Sequence, residues 1–174
     1  MTGPNLYKPR LLKPTVECQV GKVETFNVNI SEDKPCYTSV IILPIDRVML
    51  IDNINSLCIL LNNSHQVVTQ HKLKGNLSDI CAVGDEEVAV SVSDKIMILT
   101  VRDDVISPLR TITTKQRCRG ITAARKGEMV ALGDCGNNRH CWSLIRDGRE
   151  VNYSDLYNLT SGYCNYIALN NTKT

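Results

Sequence analysis

Ser39-Val-Ile-Ile-Leu-Pro-Ile-Asp-Arg-Val-Met-Leu50 lies over Asp79-Ile-Cys-Ala-Val-Gly-Asp-Glu-Glu-Val-Ala-Val90 at an offset of 40 residues. Gly120-Ile-Thr-Ala-Ala-Arg-Lys-Gly-Glu-Met-Val-Ala131 follows at a further 41. Each copy reads as a short apolar strand, a polar turn and a second apolar strand. A fourth copy opens at Tyr166-Ile-Ala-Leu169. Self-similarity at 20–50 residues marks solenoids, arrays or ring-like folds rather than one folded core.

Working outward from these copies, the spacing predicts strands near 39–43, 47–52, 57–61 and 66–72 in the first repeat. The second gives 79–83, 87–92, 95–100 and 105–112. The third gives 120–124, 128–133, 141–145 and a weaker strand near 149–153. Turn-forming pairs such as Ser93-Asp94 and Asp147-Gly148 separate them. Glu87-Val-Ala-Val-Ser-Val-Ser93 alternates most cleanly, with Val88, Val90 and Val92 on one face and the small Ala89, Ser91 and Ser93 on the other. Small residues there suit a sheet covered on both sides. Four strands per repeat and a period near forty predict an all-β fold, a partial β-propeller of about three four-stranded antiparallel blades plus the start of a fourth.

The expected organisation is a proline-punctuated linker or disordered segment at 1–16, then an extended segment at 17–37. In that segment Val23–Ile30 alternates and is assigned as a ring-closing strand. Blades follow at 38–77, 78–118 and 119–164, and a truncated fourth begins at 165–174. Closed propellers carry about four to eight blades. The expectation is therefore an unclosed fragment with one blade face and a strand edge uncovered.

The 174 residues carry a net charge of +2, 22% charged and 43% apolar side chains. That is an ordinary globular composition, too mildly basic to point to DNA or a membrane. No stretch reaches the roughly 18 apolar residues of a membrane span. The first twenty residues have no apolar run of the signal-peptide kind, so the expected compartment is the cytoplasm. Eight cysteines contain no C-x-x-C pair, so no metal site is assigned and the thiols read as reduced and structural. Cys58 and Cys81 sit in apolar runs and read as small buried hydrophobes. His65, His71 and His140 do not recur at matching repeat positions, and no catalytic motif appears. The reading is of a non-enzyme without cofactors.

The runs Leu43-Pro-Ile-Asp-Arg-Val-Met-Leu-Ile-Asp-Asn53 and Cys58-Ile-Leu-Leu-Asn62 resemble the NHL-repeat signature. Ser78–Val90 and Cys118-Arg-Gly-Ile-Thr-Ala123 are similar to blades of tripartite-motif-type proteins, in particular the expanded mollusc members. Two departures stand out. Ile45-Asp46 occupies the place of the usual aspartate-glycine turn, and the later repeats lack the aspartate-asparagine pair. The resemblance implies an intracellular six-bladed propeller that follows RING, B-box and coiled-coil segments. In that family it recruits protein substrates, or sometimes RNA, for ubiquitin transfer. None of those upstream parts occurs in this sequence, so the chain by itself is expected not to catalyse.

In an up-and-down blade, the loops between strands 2 and 3 and the links from strand 4 to the next blade share one side. That side is expected to present Asp52, Asn53 and Asn55, then Lys74 and Asn76, Asp94 and Lys95, Lys115, Arg117 and Arg119, and finally Asn137, Asn138 and Arg139. From Val105 to Gly127 every charge after Asp104 is basic. Guanidinium groups there suit acidic peptide or phosphate, against the plainer alternative of solvated loops. Protein is the expected partner. RNA ranks below it, because readers of unpaired bases use aromatic platforms and no Phe, Tyr or Trp lies between Tyr37 and Trp142. Six N-x-[ST] sequons, at Asn29, Asn62, Asn76, Asn152, Asn158 and Asn170, leave a secreted, glycosylated module as a further alternative.

Overall fold

The structure, a computed structural model, describes residues 25, 28, 34–125, 127–134 and 140–156. The expected linker, most of Val23–Ile30 and the start of the fourth repeat lie outside the described residues. Twelve strands fill the rest. The first sheet holds β1 (Tyr37–Leu43), β2 (Arg47–Asp52), β3 (Leu57–Leu61) and β4 (Val67–Lys72). The second holds β5 (Leu77–Ala82), β6 (Glu87–Val92), β7 (Lys95–Arg102) and β8 (Val105–Thr113). The third holds β9 (Arg117–Arg125), β10 (Glu128–Asp134), β11 (His140–Arg146) and β12 (Arg149–Leu156). Each sheet is an up-and-down antiparallel meander in chain order. Each strand falls within about three residues of the position that alternation and turn residues predict.

The first strands of the three sheets, β1, β5 and β9, pack side by side, and the sheets fan out from them. This is the blade arrangement of an open propeller arc. The repeat survives as an irregularity as well as a pattern. Register shifts fall between Tyr37 and Ser39 on β1, between Leu77 and Ile80 on β5, and opposite the Leu132/Gly133 step on β9. A bulge at the same place in each inner strand increases its twist and re-aims its side chains.

Two apolar layers hold the blades face to face. Met49, Ile51, Cys58 and Leu60 of the first sheet meet Val88, Val90, Val92 and Leu99 of the second. The opposite face of the second sheet brings Ala89, Ile96, Ile98 and Ile112 against Cys118, Ile121, Met129, Ala131 and Ile145 of the third. The valine and small-residue faces of β6 therefore divide as its alternation indicates. Each fully buried aliphatic side chain contributes about 1.5–3 kcal/mol. The expected exposed blade face is not the outward face of the first sheet. There Leu50, Leu57, Ile59 and Leu61 are buried, with Val28 packed against them. On the far side, Val130, Trp142 and Leu144 of the third sheet are half-buried, so Trp142 is less enclosed than a core strand residue would be.

Candidate functional site: the loop-bearing end of the arc

Backbone hydrogen bonds tie the β2–β3 turn, the β4–β5 link, the β6–β7 turn and the β8–β9 link into one rim. Ser56 Oγ donates to Gly75 O, and Leu73 N donates to Ser56 O. Ser93 N donates to Asn76 O, while Asn76 N donates to Ser93 Oγ. Thr114 gives its N–H and its hydroxyl to Asp94 O, and Cys118 N donates to Ser93 O. The loops assigned to one side from strand order thus do share an end, and their residues meet in sequence from blade to blade.

Many of the polar side chains at this end serve the rim itself. Asp52 was expected on the presented face, but the structure buries it completely. Its carboxylate accepts from Cys36 N at 3.0 Å, Ile54 N at 3.1 Å, Asn55 N at 3.3 Å and Asn55 Nδ2 at 2.6 Å. Burial works to raise its pKa, and these donors outweigh burial, leaving the group below its ordinary value. An aspartate that closes its own turn is an Asx-type cap. Asn55 is half-buried against it, and Asn53 is half-buried with its N–H on Cys36 O. Arg119 is also drawn inward, as Nε lies 2.7 Å from Asp134 Oδ2. His140 Nδ1 approaches the other oxygen of Asp134 at 3.4 Å. Behind this group, Gln116 Nε2 donates to Ser143 Oγ, and Ser143 donates to Glu150 in the buried seam between the second and third blades.

Lys74, Asn76, Asp94, Lys95, Lys115 and Arg117 remain exposed. Lys72, at the end of β4, joins them, because its register partner Leu57 opens β3 at the same end. Sequence reading missed Lys72, since the last residue of an outer strand carries no loop signal. Asn137, Asn138 and Arg139 lie outside the described residues. Five exposed cations on three successive loops and links therefore face Asp94 as the exposed carboxylate among these positions.

Cys36, Cys58, Cys81 and Cys118 are free thiols. Cys58 is enclosed as expected, whereas Cys81 is half-buried. Burial pushes both thiols up to about 12, and Cys118 up to about 11. Among the described residues no group of His, Cys, Asp and Glu is arranged to hold a metal ion.

With this geometry in place, the fold has solved counterparts. The β-propeller domain of Cps50 (Swd1) from Myceliophteria thermophila aligns with a TM-score of 0.55 at 10% identity, over 69% of this chain and 43% of that one. A protein of unknown function from Bacteroides caccae aligns at 0.54 and 11% identity, over 67% of this chain and 48% of that one. At such identities the likeness shows the fold alone. The chain spans less than half the length of either structure. No protein-family model matches the sequence, and no curated protein does.

Proposed function

We propose that this propeller arc is a non-catalytic protein-interaction module whose partner lies across the rim described above. The observation that carries the reading is the division of labour at that end. Asp52, Asn55, Ser56, Ser93 and Thr114 fix the loops to one another. Lys72, Lys74, Lys95, Lys115 and Arg117 are all exposed at that end and make it predominantly basic. A rigid rim spares a partner the ordering cost of loops, and a one-signed surface steers and selects an acidic one.

Within that role, we assign the module to substrate recruitment by a tripartite-motif-type ubiquitin ligase in the cytoplasm. The likeness of residues 43–53 and 58–62 to the NHL signature supports this, and the free thiols of Cys36, Cys58, Cys81 and Cys118 fit a reducing compartment. The test is quantitative capture from cell extract by the wild-type chain and by Lys95→Glu/Lys115→Glu/Arg117→Glu, with and without ribonuclease. Proteins held by the wild type and lost at least fivefold by the variant support the reading, provided both chains melt alike. An identical captured set overturns it. Losses that ribonuclease reproduces replace it with an RNA-binding face.

A further inference from the structure

The opposite end of the arc carries a second feature of different chemistry. A cleft of about 360 Å³ opens between the first two blades, lined among others by Ile45, Arg47, Glu86, Arg102, Asp103 and Asp104. Clefts of roughly 300–1,000 Å³ are the range in which small ligands and side-chain anchors bind. Its two arginines are already engaged. Arg102 places Nε and Nη2 at 2.8 Å and 2.6 Å from Glu86 Oε2, and Arg47 Nη1 lies 3.7 Å from Asp104. Asp46, Asp85, Glu86, Asp103 and Asp104 are all exposed on these turns. This end is therefore acidic where the rim at the other end is basic.

The apolar component is unusual. Ile45 is 81% exposed and sits at φ +63°, next to Asp46 at +53°. A β-branched residue in the left-handed region is a true outlier, and such strain gathers at ligand contacts and switches. Asp103 and Asp104, at +48° and +61°, form the two-residue turn between β7 and β8, where Asn-Gly or Asp-Gly is the easy choice. Neither the β1–β2 turn nor the β7–β8 turn at this cleft uses glycine, although Gly148 occupies the turn of the third blade that matches β7–β8.

We propose that the cleft is a second docking site, for a protein segment that presents a basic side chain beside an aliphatic one. The aliphatic group packs on the exposed Ile45 at the cleft, and the cation sits against the carboxylates of Asp103 and Asp104, the latter shared with Arg47. The site is independent of the basic rim, because its lining residues belong to the turns at the other end of the blades and their flanking strand ends.

The test uses the full chain labelled with ¹⁵N and the peptide acetyl-Leu-Arg-Leu-Arg-amide, with acetyl-Leu-Glu-Leu-Glu-amide as the charge-reversed probe. The basic peptide is expected to shift the amides of Ile45, Glu86 and Arg102–Asp104 saturably. Its affinity should fall at least fivefold in Asp103→Asn/Asp104→Asn, since asparagine tolerates the left-handed backbone. Ile45→Asn should lower the affinity about fivefold while leaving the melting temperature equal or higher, which a merely structural role for Ile45 would not do. Lys115→Glu/Arg117→Glu should change nothing at the cleft. Equal binding of the two peptides, shifts confined to the basic rim, or no saturable shift overturns the proposal.

Discussion

Asp79 is the side chain whose removal should tell most about how the blades are held. It is buried at the start of β5 and belongs to three sheets at once. Oδ1 accepts from Ser39 Oγ of the first sheet at 2.7 Å, and Oδ2 accepts from Ile121 N of the third at 2.9 Å. Oδ1 also takes its own neighbour, Ile80 N, at 2.9 Å, while Asp79 N is held by Ser91 Oγ at 2.8 Å. Ser39, Asp79 and Gly120 are aligned positions of the repeat, so one carboxylate in the middle blade serves both flanking blades.

The magnitude follows from two opposed effects. Each hydrogen bond to a charged group contributes about 1.5–3 kcal/mol, and a buried N–H left alone costs about 1–3 kcal/mol. Against this, burying a carboxylate has itself cost several kcal/mol, which alanine recovers. Ser39 is half-buried and can turn to water, whereas Ile121 N–H is enclosed. Asp79→Ala should therefore destabilise by about 2–4 kcal/mol. Asp79→Asn should cost less, about 1–2 kcal/mol, because its carbonyl can still accept from Ile121 N and its amide can donate to Ser39 Oγ. Urea unfolding is the assay. With a slope of about 2 kcal/mol/M the alanine midpoint should fall by about 1–2 M. A fall under about 0.3 M, or an asparagine variant worse than alanine, would refute the idea that this carboxylate locks the arc.

Two further outcomes follow from the same packing. Gly133→Ala would place a Cβ 2.3 Å from Arg117 O and 2.7 Å from Gln116 Cγ; the backbone must move, and a loss of about 2–4 kcal/mol in urea unfolding is expected. Stability should also fall at alkaline pH: Cys58, Cys81 and Cys118 keep their protons in the folded chain to about 12, 12 and 11, against 9.0 for a free thiol. Their contribution is present below pH 9 and lost as pH rises through the folded values, on the order of 1 kcal/mol per thiol per pH unit, and Cys→Ser variants should flatten that slope.

The strands were legible because each rests on local information. Alternation in β6 and turn pairs such as Ser93-Asp94 and Asp147-Gly148 state both where a strand runs and where it ends. The contacts across blades were not. Ser39, Asp79 and Gly120 differ in type at one repeat position, so nothing in the repeat itself announces that the middle one bonds to both sides. Arg119 was read as a surface cation because its partner Asp134 comes 15 residues later, across a hairpin whose bulge sets the register. Asp52 is a different case. Its spacing to Ile54 and Asn55 is that of an Asx turn, and that local signal was present in Asp52-Asn-Ile-Asn55 beside the reading that placed it on the presented face.

The two ends of the arc differ for a reason rooted in backbone accounting. Links between blades leave the sheet, so their N–H and C=O groups need partners elsewhere. Asn76, Ser93, Asp94 and Thr114 answer that need by tying both links to the second blade's β6–β7 turn, and Cys118 N reaches from the third blade to Ser93 O. The opposite turns close on themselves: Val83 N and Gly84 N both donate to Glu87 O, and Asn62 Oδ1 accepts from Ser64 N and Gln66 N. The linking polar groups at the first end are thereby committed to holding the scaffold, and the exposed lysines and Arg117 are what a partner meets. Turns that close on themselves make no such demand, so a strained Ile45 and the Asp103-Asp104 pair can stand there without loosening the blades. A substitution at the first end should register in stability before binding, and one at the second in binding before stability.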